Sequence, residues 1–365
     1  MARKKKYTKT ILKKIYKSLQ NLNKSVQKKR LIYDCNQKIK NLQDGTETLS
    51  RQNEQVTLEF FKPYCKISTE WHKWYSSKND VFDVRYIPED KFYTDIEPCL
   101  NNLDFSKALE DKNLYDLIFH DESVALPETM IRKINGYLCD GNFNPVDIKQ
   151  ASAICLQEQE VVIKKSIGSG GGHGVEILGR DVLAEHFEEM ISSFDENFVV
   201  QKVIKQHLDL SKIHCNSVNT IKILSILWNN EIRILSSVLR MGIDGKRVDN
   251  QSSGGISVGI DENGRLKNYA YTMKGERYTK HPNTQFVFEG SDVPFYKQIA
   301  ENAEKLHKRF AHFALISWDF AVDENGPILI EYNLSSQEIN FHQLNNGALF
   351  GELTEKVLAK CYSNK

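Results

Sequence analysis

The stretch Val161–Val175, VVIKKSIGSGGGHGV, decides how the chain is read. Val161, Val162 and Ile163 followed by Lys164 and Lys165 predict a strand. Gly168, Gly170, Gly171, Gly172 and Gly174 then make a loop too rich in glycine to be a rigid turn. Glycine lets backbone N–H groups close on an anion, and successive N–H groups pointing one way form a phosphate-binding concavity. A lysine at the strand end adds a positive point charge. A flexible surface hairpin is the competing reading. Two common phosphate loops do not fit: His173 sits where G-x-G-x-x-G needs its third glycine, and no Gly-Lys-Ser/Thr follows. What remains is a hairpin that folds over a nucleotide.

A second hairpin lies near the C-terminus. Leu315–Val322 and Ile328–Tyr332 read as strands flanking the turn Asp323-Glu324-Asn325-Gly326. Asp319 lies on the first strand, Glu331 and Asn333 on the second. Residues two apart share a strand face, so Glu331 and Asn333 point together, and the hairpin can bring Asp319 opposite them. Two carboxylates and an amide oxygen are hard ligands, suited to a Mg²⁺ ion that keeps waters and bridges nucleotide phosphates. Acids at a hairpin end are also commonly just solvated. The upstream lysine and glycine loop is what favours the metal.

The chain has 365 residues, enough for two or three subdomains. Its composition, 40% hydrophobic and 27% charged, is that of a soluble globular protein. No apolar run approaches the roughly 18 residues needed to span a bilayer, and the basic N-terminus lacks a signal peptide's apolar core. Seven dispersed cysteines without a C-x-x-C pair favour reduced thiols in the cytoplasm over disulfides or zinc. The net charge of +1 hides an asymmetry. Twelve basic residues from Arg3 to Arg30 precede the first acid, Asp34, which leaves −11 for the remainder.

Ile11, Ile15, Leu19 and Leu22 recur at helical spacing within Lys9–Leu42, with lysines on the other faces. Such a helix can be a solvated charged helix or can lie on an anionic membrane, at the inner membrane face. Nucleic acid is disfavoured because stacking aromatics are sparse. Asn41–Gln55 reads as a linker. From Val56 to Asp140 aromatics crowd together. Trp71 and Trp74 read as packed core, with sugar stacking as the alternative. Leu109–Phe119 reads as a helix containing Lys112, and Asp181–Ser193 as another. Phe198–Ile204, Ser217–Trp228, Glu231–Met241 and Gly255–Ile260 read as strands, Pro294–Phe313 and Ala348–Cys361 as helices.

Taken in order, Asp111-Lys112, VVIKK with its glycine loop, FVVQKVI, Arg240 and Asp319…Glu331-x-Asn333 resemble the ATP-grasp superfamily. More closely, the chain resembles the sugar-transfer associated ATP-grasp family, found near polysaccharide-assembly genes. WHKWY (71–75), RYIPEDKFY (85–93), SVNTIKI (217–223), VDNQSSGGI (248–256), HPNT (281–284) and SWDFAV…GPILIEYN carry that resemblance. It covers Val56 to the C-terminus.

The resemblance implies an α/β (α+β) ATP-grasp fold, two α+β subdomains sandwiching ATP, preceded by a basic helical N-terminal arm. The expected domains are 1–55 (arm and linker), 56–155 (aromatic-rich), 156–210 (lid) and 211–365 (C-terminal subdomain with the metal). Lys112 and Lys164 would hold the α- and β-phosphates, and Gly168, Ser169, Gly170, Gly171, Gly172 and Gly174 would close over the β/γ end. The backbone of Gln201, Lys202, Val203 and Ile204 would pair with adenine, with His207 and Asp209 as guesses for the ribose. Asp319, Glu331 and Asn333 would hold Mg²⁺. Arg240 would face the γ-phosphate and the carboxylate being activated. Arg247, Ser252, Gly254, Gly255 and His281 are candidate substrate contacts, although His281 before Pro282 also reads as a turn residue. Two positions depart from the family pattern. Lys202 stands where an acid is common, and Lys222 where an arginine fork is expected. The implied activity is an ADP-forming carboxylate–amine ligase acting on a sugar or glycan, with ATP and Mg²⁺. A kinase or a non-catalytic nucleotide-binding scaffold is the alternative.

Overall fold

The computed structural model describes residues 22, 25–43, 45–120, 124–168, 174–245 and 254–363. The chain divides into two compact units. One comprises the described residues of Met1–Cys99 and Glu355–Lys365, the other Leu100–Thr354. The expected boundaries at 155 and 210 both fall inside the second unit.

In the first unit the helix Glu70–Asn79 puts Trp71, Trp74 and Tyr75 on one face, at spacings of three and four. Trp71 and Trp74 are 2% and 0% exposed, so they form the interior, with Tyr75 stacked on Tyr86 at 4.8 Å. The sugar-stacking alternative is thereby removed. A helix spans residues 25–41. It docks on the same unit through buried Cys35 and Ile39 and through Lys28–Asp95 (2.7 Å) and Lys38–Glu89 (2.6 Å). Both carboxylates are buried, which makes these pairs stronger anchors than exposed ones. This part of the expected arm is therefore packed structure. Ile11, Ile15 and Leu19 lie outside the described residues. The expected linker is helical from Arg51, because Ser50 accepts the Asn53 N–H as an N-cap.

The second unit contains two antiparallel sheets. The smaller is built from β1 (Thr129–Ile134), β2 (Tyr137–Asp140), β3 (Glu160–Lys165), β4 (Val175–Gly179) and β5 (Phe198–Lys202), in the order β2-β1-β5-β3-β4. Val161 and Ile163 pack with Ala151 and Cys155 of the helix Ile148–Cys155 and with Leu183, Phe187 and Ile191 of the helix Arg180–Ser193. Strand alternation sends Lys164 to the opposite face.

The larger sheet is built from β6 (Thr220–Trp228), β7 (Glu231–Met241), β8 (Ile256–Ile260), β9 (Leu266–Tyr271), β10 (Arg277–Tyr278), β11 (Leu315–Asp323) and β12 (Gly326–Asn333), in the order β10-β9-β8-β7-β6-β11-β12. One face is apolar. Ile221, Ile223, Leu239, Met241, Trp318 and Tyr332 pack there against Ile299, Ala303 and Leu306 of the helix Tyr296–His307. The other face is polar, and register decides what meets on it. Glu331 lies opposite Asp319, Asp319 opposite Lys222, and Lys222 opposite Val238. One step along, Asn333 lies opposite Ser317. One step the other way, Thr220 lies opposite Arg240, and Arg240 opposite Ser257. Asn101 staples the sheet end, donating to the carbonyls of Leu315 and Leu334 at 2.7 Å each and accepting from Leu315 N at 2.9 Å.

Among the described residues no helix is long and apolar enough to cross a membrane. All seven cysteines are free thiols.

Candidate active site

The segment 109–112 joins the two sheets. The Lys112 N–H donates to the Ser166 carbonyl just past β3 at 3.0 Å. At its other end Glu110 accepts from the N–H groups of Leu334 and Ser335 at 2.6 and 3.0 Å, just past β12, and the Tyr332 hydroxyl donates to the Leu109 carbonyl. Lys112 is not inside a continuous helix. The chain breaks at Asp111, which is extended and caps a short 3₁₀ turn by accepting from Asn113 N. That break frees the Lys112 backbone to reach the small sheet.

Lys112 Nζ lies 3.4 Å from Glu331 Oε2 on the large sheet. Lys164, from the small sheet, is in electrostatic contact with both. Burial is the main cause that brings its amine down from the usual lysine range to about 7. The Lys112 charge adds to the shift, and Glu331 opposes it. Two lysines and a carboxylate from three separate segments thus lie within electrostatic range of one another.

Asp319 is the centre of a second group on the polar face. Its Oδ2 accepts from Lys222 Nζ at 3.1 Å, and Arg240 lies 3.6 Å from Oδ1. Burial would raise its pKa, but Lys222 and Arg240 outweigh that and hold the carboxyl below the usual range. Arg240 is fixed by two bonds to Thr220 Oγ1, at 3.0 and 3.2 Å. Lys222 therefore fills the expected arginine position as a point charge paired with the carboxylate.

The oxygen donors fit a nucleotide-bound Mg²⁺. Asp319 Oδ1 is buried without a hydrogen-bond partner, an orphan acceptor of the kind a cation satisfies. Glu331 faces it across the ladder, and Asn333 is two residues on. Among the described residues no group of three His, Cys, Asp or Glu side chains forms a complete metal cage. Two carboxylates and an amide suit an ion that takes its remaining ligands from water and phosphate.

The other expected site residues fall as follows. Gln201 Nε2 donates to Thr129 Oγ1 at 3.0 Å, and β5 ends at Lys202, so Val203 and Ile204 continue beyond the strand. Lys202, which departs from the expected acid, pairs with Glu128 (2.8 Å) and Glu158 (3.2 Å). Gly168 and Gly174 flank the loop with φ of 66° and 74°, values that favour glycine. Ser169, Gly170, Gly171, Gly172, Arg247 and Ser252 lie outside the described residues. Gly254 has φ 95° and Gly255 leads into β8. His281 is buried. Its Nε2 lies 2.9 Å from the Gly242 carbonyl and its Nδ1 accepts from Thr284 N, so both nitrogens hold a turn. His207 caps the helix Leu208–Ile213, and Asp209 pairs with Lys212 at 2.6 Å.

Sequence reading missed Glu110, Thr220 and the helix Ile339–Asn346. Thr220 was within reach, since it is two residues from Lys222 on a strand. The helix gives little signal, because it starts at Glu338 with φ 35° and no side-chain cap. It lies on the polar face, close enough that only glycine fits at 259. A Cβ there would sit 2.6 Å from Asn346 Oδ1 and 3.1 Å from the Asn345 carbonyl. Gly259→Ala is expected to lower stability by about 1–3 kcal/mol, read from urea unfolding. An unchanged midpoint would mean the helix does not need this approach.

Among known proteins, the family described as "Sugar-transfer associated ATP-grasp" matches residues 91–358. Among curated proteins none matches the chain. Solved structures that resemble it include D-alanyl-alanine synthetase A from Vibrio cholerae, at 15% identity and TM-score 0.42, covering 70% of this chain and 66% of that one. The biotin carboxylase domain of 2-oxoglutarate carboxylase from Hydrogenobacter thermophilus aligns at 14% identity and TM-score 0.42, over 68% of this chain and 45% of that one. The VanG D-Ala:D-Ser ligase from Enterococcus faecalis aligns at 12% identity and TM-score 0.42, over 70% and 61%. The chain thus spans between 45% and 66% of the length of these neighbours.

Proposed function

We propose that this chain, which belongs to the sugar-transfer associated ATP-grasp family and has its fold, is an ATP-dependent, ADP-forming carboxylate–amine ligase. Its acceptor is a sugar or glycan carboxylate, such as a uronic acid, joined to an amino acid or other amine. The observation that carries the reading is the meeting of Lys112 and Lys164 with Glu331, beside the Asp319–Lys222–Arg240 group.

In this reading Lys112 and Lys164 hold the α- and β-phosphates, and the glycine loop from Gly168 to Gly174 covers the β/γ end. The backbone of Gln201–Ile204 borders the adenine. Asp319, Glu331 and Asn333 would hold Mg²⁺, which would supply charge neutralisation for phosphoryl transfer. Arg240 orients the acceptor carboxylate, and the amides of Gly254 and Gly255 are the described candidates for contacts at the acyl centre. A carboxylate oxygen attacks the γ-phosphorus and ADP leaves, giving an acylphosphate. An amine then displaces inorganic phosphate and forms the amide. Positioning and charge neutralisation carry both steps, so no strong base is required.

The test is ADP release with paired uronic acids and amino acids, with hydroxylamine added to trap the intermediate. A hydroxamate together with ADP is the expected result. ADP with a stable phosphorylated alcohol would make the protein a kinase. Nucleotide binding without any ATP-dependent product would make it a scaffold.

We infer that the enzyme works in the cytoplasm, peripheral to an anionic membrane through its basic N-terminus. Support comes from the run of basic residues before Asp34. Because the helix 25–41 buries Cys35 and Ile39, the cleaner truncation removes residues 1–21 only. Loss of flotation with anionic liposomes is expected, and equal flotation of both forms would remove the membrane from the proposal.

A further inference from the structure

The helix Ile339–Asn346 brings a histidine to the polar face in a tautomer that its neighbours determine. Asn346 Nδ2 donates to Ser236 Oγ at 2.8 Å and to the Ser237 carbonyl at 2.9 Å. A carbonyl only accepts, so the amide's nitrogen end must face β7. Ser236 Oγ therefore accepts from Asn346 and still has its own proton to place. The partner left for it is His342 Nδ1, 2.7 Å away. Ser236 donates to Nδ1, and the neutral ring carries its proton on Nε2. With Nδ1 accepting, the buried imidazole is in its neutral form.

Nε2 is buried and has no hydrogen-bond partner. Ser317 Oγ and Asp319 Oδ1, on the same face, share that condition. His342 lies in electrostatic contact with Lys222, Asp319 and Arg240, so the unused donor belongs to this group of charges. Buried donors are nearly always satisfied, and several unsatisfied polar atoms gathered on one sheet face point to a ligand's place.

We propose that His342 Nε2–H is a substrate-contacting donor to the anionic oxygens, carboxylate or phosphoryl, of the group in transfer beside Arg240. Ser236 and Asn346 are positioning residues that set its tautomer. The assignment rests on the ligase reading of this face. A neutral donor suits the position because Lys222 and Arg240 already supply charge, and the imidazole adds direction without adding repulsion between cations.

The experiment uses the full chain with ¹⁵N-labelled histidine, with the His342 signals assigned by comparison with His342→Gln. Long-range ¹H–¹⁵N spectra near neutral pH should show a protonated Nε2 and an unprotonated Nδ1. MgADP followed by inorganic phosphate is the probe, and the Nε2 signal should move on phosphate addition. His342→Leu should weaken phosphate binding to the MgADP form about 10–100-fold, the worth of a hydrogen bond to a charged group, with MgADP affinity unchanged. His342→Gln, which keeps an N–H at similar reach, should recover most of the loss. Ser236→Ala should mix the tautomers and give an intermediate loss. If His342→Leu fails to fold, the glutamine and Ser236 variants carry the test. A reversed tautomer, or an Nε2 signal that ignores phosphate while MgADP binds, overturns the assignment alone. Failure of MgADP to bind at all overturns the ligase reading, and this assignment with it.

Discussion

Glu331→Ala is expected to remove turnover while leaving the fold intact. The side chain does three things that a methyl group cannot. It faces Asp319 across the β11–β12 ladder, it lies 3.4 Å from Lys112, and its charge acts on Lys164. Removing it takes one of two carboxylates from the metal site and leaves the lysine pair with less compensating charge. Loss of such a charge contact in a preorganised phosphoryl-transfer site is expected to cost on the order of 10²–10³-fold in rate. Stability should change little, because Glu331 is 23% exposed and anchors no backbone group among its described contacts. Two readouts are needed: the rate of ADP release, and Mn²⁺ binding with a non-hydrolysable ATP analogue followed by electron paramagnetic resonance. Full activity at ordinary Mg²⁺ would sink the metal assignment. Lost activity with Mn²⁺ binding intact would move Glu331 from metal ligand to partner of Lys112.

The second large effect is on the pH dependence of nucleotide binding. In the free protein Lys164 has a pKa of about 7, so near neutrality the amine is only partly charged. ATP phosphates favour the charged form, and binding must therefore take up a proton. ATP affinity is expected to fall as pH rises through about 7, tending toward a tenfold loss per pH unit well above it. Calorimetry in buffers of different ionisation enthalpy should detect the proton uptake. Lys164→Met should bind ATP weakly and without that pH dependence. A wild-type affinity that is flat from acid to alkaline pH would remove Lys164 from the phosphate contacts. The linkage has a counterpart in stability, with a definite sign. The folded pKa lies below the unfolded one, so between about 7 and the usual lysine range the unfolded chain binds the extra proton. The ligand-free protein should therefore gain stability as pH rises through that window.

The fold was legible where it depends on local pattern. Apolar, β-branched runs and the turn residues between them marked β3, β6, β7, β8, β11 and β12 within a few residues of their ends. Asp323-Glu324-Asn325-Gly326 marked the hairpin that sets Asp319 opposite Glu331. The glycine run after Lys164 marked the connection between β3 and β4, whose flanking Gly168 and Gly174 both have positive φ. The basic segment was visible as charge, but its docking was not. Cys35 and Ile39 look unremarkable until Glu89 and Asp95 receive Lys38 and Lys28.

By itself, the sequence determined the two hairpins and which residues share each strand face, because side-chain direction follows from a period of two. Only the tertiary structure decided which faces meet. Lys112 reaches both sheets through Ser166 and through Glu110's hold on Leu334 and Ser335, contacts more than 50 and 220 residues apart that no local period encodes. Lys222, Arg240 and His342 join Asp319 by strand register and helix docking. Those depend on burial and hydrogen bonding summed over the whole unit, and neither leaves a mark in the residues nearby.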